Sequence, residues 1–141
     1  MTDSDSAAAA PALEATGLTA ALTVADLPRS VAWYRDVLGF AIAREYAPRG
    51  PLVAVALRAG AVELLLTQDN GAGGTDRAKG QGFSLQLTTG RTADDIDALA
   101  AGIKMRGGVL EDEPADAFGA RVFRLRDPDG FKLVFSSPRA R

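Results

Sequence analysis

Apolar and polar residues alternate along short stretches of this chain, and two intervening stretches have helical spacing instead. Alternation of this kind places successive side chains on opposite faces of a β-strand. It predicts strands over residues 18–24, 40–46, 52–58, 61–67, 83–88, 109–112, 120–126 and 131–136.

The two helical stretches have recognisable ends. The first begins near Asp26, a residue type that caps helix N-termini, and ends at Gly39. The second begins at Thr92 with Asp95 three residues later, and ends at residues 107–108, which are both glycine. The buried faces are predicted from apolar residues three and four apart, namely Val31, Tyr34, Val37 and Leu38 in the first helix and Ile96, Leu99, Ala100 and Ile103 in the second.

The order of these elements occurs twice, as strand, helix and three strands on each side of a linker. A doubled supersecondary unit is a stronger indication of fold than any single strand. The predicted organisation is an N-terminal flexible arm (1–16), a first βαβββ module (17–68), a linker (69–82), a second βαβββ module (83–137) and a C-terminal tail (138–141).

The last two strands are joined by the tight turn Asp127-Pro-Asp-Gly130. Proline presets φ at the second position of a turn, and glycine accepts positive φ. If Gly130 forms a bulge, one face carries Phe123, Leu125, Leu133 and Phe135, and the other carries Arg124, Arg126, Lys132 and Val134.

Four motifs in this order resemble the glyoxalase/bleomycin-resistance/extradiol-dioxygenase superfamily, also called the vicinal oxygen chelate fold. They are Val-x-Asp-Leu-x-x-Ser at residues 24–30, Trp33-Tyr34, Val62-Glu-Leu64 and the Asp127-Pro-Asp-Gly130 turn. The resemblance covers residues 17–137. It implies an α+β fold in which two βαβββ modules form curved mixed sheets around a shared cavity, with the helices outside.

The resemblance also implies four metal-ligand positions on the strands, which many family members fill with histidine. Here they correspond to Thr19, Glu63, residues 82–83 and Val134, and the chain contains no histidine. A divalent ion needs several anionic or imidazole donors to replace its water shell. We therefore expect no metal and no other cofactor. The acidic run 111–113 with Asp116 could attract a hard cation, but a solvated loop is the favoured interpretation.

Strand alternation predicts which side chains line the cavity. The first module contributes Thr19, Ala21, Thr23, Ala54, Ala56, Arg58, Glu63 and Leu65, and the second contributes Ser84, Gln86, Val122, Arg124, Lys132 and Val134. Small and polar side chains leave room for an organic molecule. From this set, we predict that ligand contacts come from Thr19, Thr23, Arg58, Glu63, Ser84, Gln86, Arg124, Lys132 and Val134. Two alternatives remain open: the polar faces meet solvent, or Glu63 pairs with Arg58 or Arg124 rather than with ligand.

Composition excludes several function classes. Sixteen basic and eighteen acidic residues give a net charge of −2, without the basic surface that nucleic acid requires. No apolar run reaches the length of a membrane span. Zero cysteines and zero histidines exclude disulfides and the Ser–His or Cys–His nucleophiles. The start of the chain is acidic, unlike a signal peptide, so a cytoplasmic protein is the default expectation.

Three functions are compatible with this sequence. The first is a metal-independent binding protein for a drug or metabolite, similar to bleomycin-resistance proteins and hence to antibiotic resistance. The second is a cofactor-independent lyase or isomerase, with Glu63 as base and Arg124 or Lys132 holding negative charge. The third, less favoured, is a metal-dependent glyoxalase or dioxygenase. The basic lining residues indicate an anionic or carbonyl-bearing small molecule, and the resemblance implies a homodimer.

Overall fold

A computed structural model describes residues 12–74 and 78–139. The predicted tail and arm therefore lie largely outside the described residues. The first module contains β1 (Ala20–Val24), α1 (Leu27–Trp33) continued by a π-helical turn (Tyr34–Leu38), β2 (Ala41–Tyr46), β3 (Ala54–Ala59) and β4 (Val62–Gln68). The second contains β5 (Leu85–Thr88), α2 (Ala93–Met105), β6 (Leu110–Ala117), β7 (Ala120–Arg126) and β8 (Lys132–Ser136).

The eight strands form two four-stranded mixed sheets with the same topology. The strand orders are β1-β4-β3-β2 and β5-β8-β7-β6. In each sheet the first and last strands of the module pair in parallel, and the other neighbours are antiparallel. The predicted α+β fold of two βαβββ modules is confirmed. Across residues 12–74 and 78–139, neither helix is long and apolar enough to cross a membrane.

The helix ends follow from local chemistry. The Asp26 side chain accepts a hydrogen bond from the backbone N–H of Arg29 at the start of α1, and Gly39 stops the π-helical turn with a φ of 95°. At α2, the Asp95 carboxylate accepts hydrogen bonds from the backbone N–H groups of Arg91 (2.7 Å) and Thr92 (3.1 Å). These bonds favour the ionised form and lower the pKa of Asp95.

Strand β6 is longer than the sequence predicts. We expected a strand that ends at Asp112 and a solvated loop over 111–113, but the strand continues to Ala117. That expectation was wrong because Pro114 and the acidic run interrupt the apolar alternation. The structure accommodates them with register shifts on either side of Asp112, so the outer strand remains paired with β7.

The core spans both modules. The four side chains predicted to share one face of β7 and β8 are all buried, and Phe123 lies opposite Phe135 and Leu125 opposite Leu133. The two phenylalanine rings stack with centroids 5.3 Å apart. These residues belong to the same buried cluster as Leu22 of the first module, so the two modules share one hydrophobic core.

A polar contact fixes the turn after β7 against α1. The Tyr34 hydroxyl donates a 2.8 Å hydrogen bond to Asp127 Oδ2. Asp127 Oδ1 accepts hydrogen bonds from the backbone N–H groups of Asp129 (2.9 Å) and Phe131 (2.8 Å). One buried carboxylate therefore shapes its own turn and binds the helix of the other module.

Asp129 extends this contact towards the linker. Its carboxylate accepts hydrogen bonds from the backbone N–H of Ala25 (2.8 Å) and from Ser30 Oγ (3.4 Å). Lys79 Nζ lies 3.3 Å from Asp129 Oδ2 and 3.0 Å from Asp69 Oδ2, and these three side chains are largely buried. We refer to Tyr34, Asp127, Asp129 and Lys79 as the inter-module clamp.

A second contact between the modules involves the π-helical turn. Arg106 Nε donates a 3.0 Å hydrogen bond to the carbonyl of Val37, which compensates for the wider hydrogen-bond spacing of that turn. A Cβ atom at Gly108 would lie 2.9 Å from Val37 Cγ1 and 2.4 Å from Ile103 Cγ2. The close approach of α2 to the first module therefore requires glycine at this position.

The clamp predicts a specific loss of stability. Tyr34→Phe removes the only side-chain donor that the described residues supply to Asp127 Oδ2. We expect the free energy of unfolding to fall by about 1–3 kcal/mol, the range for a buried polar group left without its partner. Urea unfolding measures this. The matched control is Tyr46→Phe, whose hydroxyl is at a half-exposed site and whose loss should cost less than about 0.5 kcal/mol. Equal effects at both tyrosines would contradict the role of the clamp.

The clamp also predicts a pH dependence. Burial raises the pKa of Asp127 above its usual 3.8, although its three hydrogen bonds act in the opposite direction. The folded state therefore keeps this proton to a higher pH than the unfolded chain does. The contribution of Asp127 to stability is fully present below pH 3.8 and is lost as the pH rises through the raised folded-state pKa.

Asp127→Asn removes this titration. The free energy of unfolding of the unmodified protein is compared with that of Asp127→Asn. We expect the value for the unmodified protein, relative to the variant, to decrease as the pH rises from about 4 towards neutrality. Urea unfolding at a series of pH values measures the difference. Asp95→Asn at the start of α2 is the control, because hydrogen bonds to backbone N–H groups lower the pKa of Asp95 and its contribution therefore does not decrease as the pH rises. A difference that grows with pH for Asp127→Asn would refute the assignment.

Candidate functional site

The face of the second sheet that points away from the core carries the polar side chains of β5, β7 and β8. Arg124 lies opposite Val134, and Arg126 lies opposite Lys132. Gln86 lies beside Val134 on the other side. Their sequence neighbours are buried in the core, so alternation turns these side chains outwards. We call this surface the open face of the second sheet.

A groove of about 320 Å³ runs along the open face of the second sheet. Its lining comprises Ser84, Gln86, Thr88, Ala117, Phe118, Ala120, Val122, Arg124, Lys132, Val134, Ser136, Ser137 and Arg139. All six lining residues that the sequence predicts for the second module belong to this set. We call it the second-sheet groove, and its volume is at the lower end of the range for small-molecule sites.

The cations of this groove differ in their partners. Arg124 Nη1 lies 2.7 Å from Asp112 Oδ2, and Arg126, just beyond the groove, pairs with Glu111 at 2.9 Å. Lys132 is half-buried, and its ammonium makes no ion pair or hydrogen bond with any side chain in the described part of the protein. An ammonium with free donors on a partly desolvated sheet face can bind an anionic or carbonyl oxygen.

One end of the groove is formed by the β6–β7 hairpin. Phe118 lies at the tip of this hairpin and is 88% exposed. Its φ is +53°, and that of Gly119 is +81°. Arg139 Nη1 donates a hydrogen bond to the carbonyl oxygen of Phe118. Sequence reasoning missed both residues, although a hairpin with two positive φ values is signalled by the glycine at 119.

A second pocket of about 680 Å³ lies beside the groove and shares Ser84 and Lys132 with it. The described part of the linker and the turn after β7 form its walls, with Lys79 of the inter-module clamp among them. Gly80 approaches this turn so closely that a Cβ atom there would lie 2.9 Å from the Phe131 Cα atom. Lys132 therefore stands between two adjoining cavities.

The open face of the first sheet is dominated by one carboxylate and two arginines. Glu63 Oε2 lies 2.8 Å from Arg44 Nη2, and Glu63 Oε1 lies 3.4 Å from Arg58 Nη2. Arg44 Nε also donates a 2.8 Å hydrogen bond to the Tyr46 hydroxyl. Of the two pairings left open for Glu63, the structure has the one with Arg58. The alternative partner Arg124 is paired with Asp112 instead.

Sequence reasoning missed Arg44. A register shift between Ile42 and Arg44 makes Arg44 lie opposite Ala56, which turns its side chain to the same face as Arg58 and Glu63. Simple alternation from the start of β2 would count Ala43 rather than Arg44 on that face. Because the sequence does not mark this bulge, only the structure could reveal the partner.

The four first-module candidates lie apart from the second-sheet groove. Glu63, Arg58 and Thr23 share the open face of the first sheet, where Thr23 contacts Thr67 through their hydroxyl groups at 3.3 Å. Thr19 is exposed and precedes β1. Within one chain, the structure therefore brings the second-module candidates together in one groove and places the first-module candidates on a separate surface.

The residues at the family's metal positions do not fit a divalent metal. Both oxygens of Glu63 are engaged by arginine, Thr19 offers one exposed hydroxyl, and Val134 has no donor atom. Among residues 12–74 and 78–139, no three His, Cys, Asp or Glu side chains come close enough to hold an ion. The described residues at these positions therefore do not form a divalent-metal site.

The acidic run of β6 does not provide a cation site either. Each of its carboxylates faces a basic side chain: Glu111 pairs with Arg126, Asp112 with Arg124, Glu113 with Lys104 and Asp116 with Arg121. The run consists of exposed ion pairs that join the outer strand to β7 and α2.

Comparison with solved structures shows the same fold. The chain is similar to a glyoxalase/bleomycin resistance protein/dioxygenase from Nocardioides, with 19% identity, coverage of 90% of this chain and 85% of that chain, and a TM-score of 0.70. TioX from Micromonospora sp. ML1 is 20% identical over 87% and 98% of the two chains, with a TM-score of 0.66. A hypothetical protein from S. aureus is 23% identical over 89% and 95%, with a TM-score of 0.69.

Comparison with curated proteins finds no significant match. The model of one protein family matches residues 17–135, which include both βαβββ modules and the turn at Asp127. With the doubled topology and the clamp between Tyr34 and Asp127, this match shows that the chain belongs to the Glyoxalase/Bleomycin resistance protein/Dioxygenase superfamily.

Proposed function

We propose that this protein binds a small organic drug or metabolite in the second-sheet groove, without a metal and without chemical turnover. The observation that supports this most directly is the ammonium of Lys132, which has no side-chain partner among the described residues and lies at one end of the groove. The other two cations of the lining are engaged, Arg124 by Asp112 and Arg139 by the Phe118 carbonyl. Such a site recognises an anionic or carbonyl-bearing molecule. In function the protein would be similar to bleomycin-resistance proteins, acting in the cytoplasm.

The groove offers Lys132 suitable neighbours for this role. Gln86 lies on β5 and Ser84 directly precedes that strand, and the Gln86 amide donates a weak 3.4 Å hydrogen bond to Ser84 Oγ. Both side chains can reorient towards a ligand oxygen at little cost. Val122 and Val134 supply an apolar surface between the polar groups, so the groove combines hydrophobic contact with a few oriented donors, as ligand sites generally do.

The enzymatic alternative has less support. A lyase or isomerase that used Glu63 as base would use a carboxylate whose two oxygens each contact an arginine, Arg44 or Arg58. Proton abstraction would therefore have to compete with these ion pairs. Within one chain, Glu63 also lies on a different sheet from the Lys132 and Arg124 groups that were expected to hold the developing negative charge, so the reaction, unlike binding in the groove, would require a second copy of the chain.

We also propose that the protein works as a homodimer. The second-sheet groove is lined by the second module alone and is open on one side. The open face of the first sheet carries Arg44, Arg58 and Glu63, which together have a net charge of +1. If a second copy covers the groove with this face, Glu63 and Arg58 join the same site as Lys132. The enclosed molecule would then contact both predicted groups of ligand residues.

A binding screen tests the proposed function. Organic acids and natural-product antibiotics are added to the purified protein, and thermal shift identifies binders. We expect at least one anionic or carbonyl-bearing compound to bind stoichiometrically by calorimetry and to be recovered unchanged by mass spectrometry.

Elemental analysis should find no stoichiometric transition metal, since such ions draw mainly on N or S ligands that this chain lacks. Turnover of the bound compound would favour the lyase, and one bound Zn²⁺ or Fe²⁺ per chain would refute metal independence.

Lys132 should control affinity for the compound identified in this way. Lys132→Met keeps the length of the side chain and removes the charge, so we expect binding to weaken by about 1–3 kcal/mol, the range for a charged hydrogen bond. The matched control is Lys104→Met, which removes an exposed lysine on α2 that pairs with Glu113 outside the groove. Calorimetric titration measures both variants. Equal affinities for Lys132→Met and the unmodified protein would exclude Lys132 from the site.

A further inference from the structure

We propose that Phe118 is a ligand-contacting residue and that the second-sheet groove selects elongated molecules with an acidic group at one end and an aromatic or apolar group at the other. The inference rests on the proposed function of the groove. It assigns the acidic group to Lys132 and the aromatic group to Phe118, which lie towards opposite ends of the lining.

The backbone of Phe118 is strained. A φ of +53° places it in the left-handed region, which glycine and asparagine tolerate but which a bulky aromatic residue adopts at a cost. Hairpin turns with two positive φ values normally carry Asn-Gly or Asp-Gly. Here the second position is Gly119, as expected, whereas the first holds an aromatic ring.

Burial of the Phe118 side chain does not offset this conformational cost within the described residues. The side chain is 88% exposed and does not belong to the buried core cluster or its packed neighbours. A large ring at a strained position that contributes little to folding is a candidate for a contact with something outside the chain. Because Phe118 lines the groove, a molecule bound there is the partner that the geometry favours.

The position of Phe118 is fixed by a second groove residue. Arg139 donates a hydrogen bond to the Phe118 carbonyl and also belongs to the groove lining. The C-terminal segment after β8 therefore supports the hairpin tip from within the same surface. The ring is presented at the mouth of the groove rather than on an unrelated loop.

The spacing along β7 sets the size of the molecule. Lys132 lies opposite Arg126, at one end of β7. Phe118 lies in the turn that precedes Ala120, at the other end of β7. Six residue steps of a strand span about 20 Å. Between these ends lie Val122 and Val134, which offer an apolar strip. A carboxylate or sulfonate joined to an aromatic or aliphatic body of roughly 15–20 Å length would contact both ends.

Two dyes that differ in one charged group test the assignment. 2-(p-Toluidino)naphthalene-6-sulfonate is an elongated dye with the aromatic amine at one end and the sulfonate at the other, and N-(p-tolyl)-2-naphthylamine has the same rings without the sulfonate. Fluorescence titration measures the affinity of each dye for the unmodified protein, Phe118→Asn and Lys132→Met. Thermal unfolding is recorded for the same samples. Met105→Asn is the matched control, because Met105 is also 88% exposed but lies at the end of α2.

We expect opposite effects of Phe118→Asn on stability and binding. Asparagine adopts the left-handed conformation readily, so the melting temperature should rise by about 2–5 °C. Affinity for both dyes should fall about 5- to 20-fold, the loss expected for one aromatic contact. Lys132→Met should weaken binding of the sulfonated dye by about tenfold or more and leave the uncharged dye nearly unchanged. Met105→Asn should alter neither affinity.

The outcomes separate this inference from the proposed function. If both dyes bind Phe118→Asn as tightly as the unmodified protein, the aromatic end is wrongly assigned while groove binding stands. If Phe118→Asn lowers the melting temperature, the ring is structural and the inference fails. If Lys132→Met weakens both dyes equally, the acidic end is wrongly assigned. If neither dye binds the unmodified protein and the compound screen also finds no binder, the proposed function fails as well.

Discussion

The hydrogen bond between Tyr34 and Asp127 joins the two modules, and the second-sheet groove depends on it. The same carboxylate accepts two backbone N–H groups of the turn between β7 and β8. That turn sets the pairing of the two strands, which in turn places Lys132 opposite Arg126 and Val134 opposite Arg124. A shift of one residue in this register would exchange the groove face with the core face. The geometry of the groove is thus tied to a contact with the helix of the other module.

Much of the fold could be predicted because local rules and global packing agree. Alternation in β7 and β8 separates Phe123 and Leu125 from the arginines between them, and the structure buries the first set and exposes the second. Gly39 ends the first helix as its type suggests. The prediction failed where the chain departs from regular pairing. Pro114 and the neighbouring bulges concealed the length of β6, because alternation identifies only strands that keep their register.

The candidate site was predicted only in part, because residue patterns do not specify irregular backbone geometry. A strand pattern shows which side chains share a face, so the second-module set with Lys132 and Arg124 was recovered in one groove. The strand pattern does not show which residue across the sheet pairs with a charged side chain. Arg44 reaches Glu63 only through the bulge in β2, and Phe118 enters the groove only because the hairpin tip takes positive φ values. Both depend on backbone geometry that residue types alone do not specify.

The irregular outer strand β6 has a consequence for how copies of this chain can meet. An exposed strand edge normally offers unpaired N–H and C=O groups to a neighbouring molecule, which leads to uncontrolled association. Here Pro114 lacks an N–H, and the register shifts interrupt the row of donors. The β6 edge of the second sheet is therefore protected against growth by strand addition. The open face of the second sheet remains available for a specific contact. Protection against edge-to-edge association and the surface proposed for binding therefore lie on different sides of the same sheet.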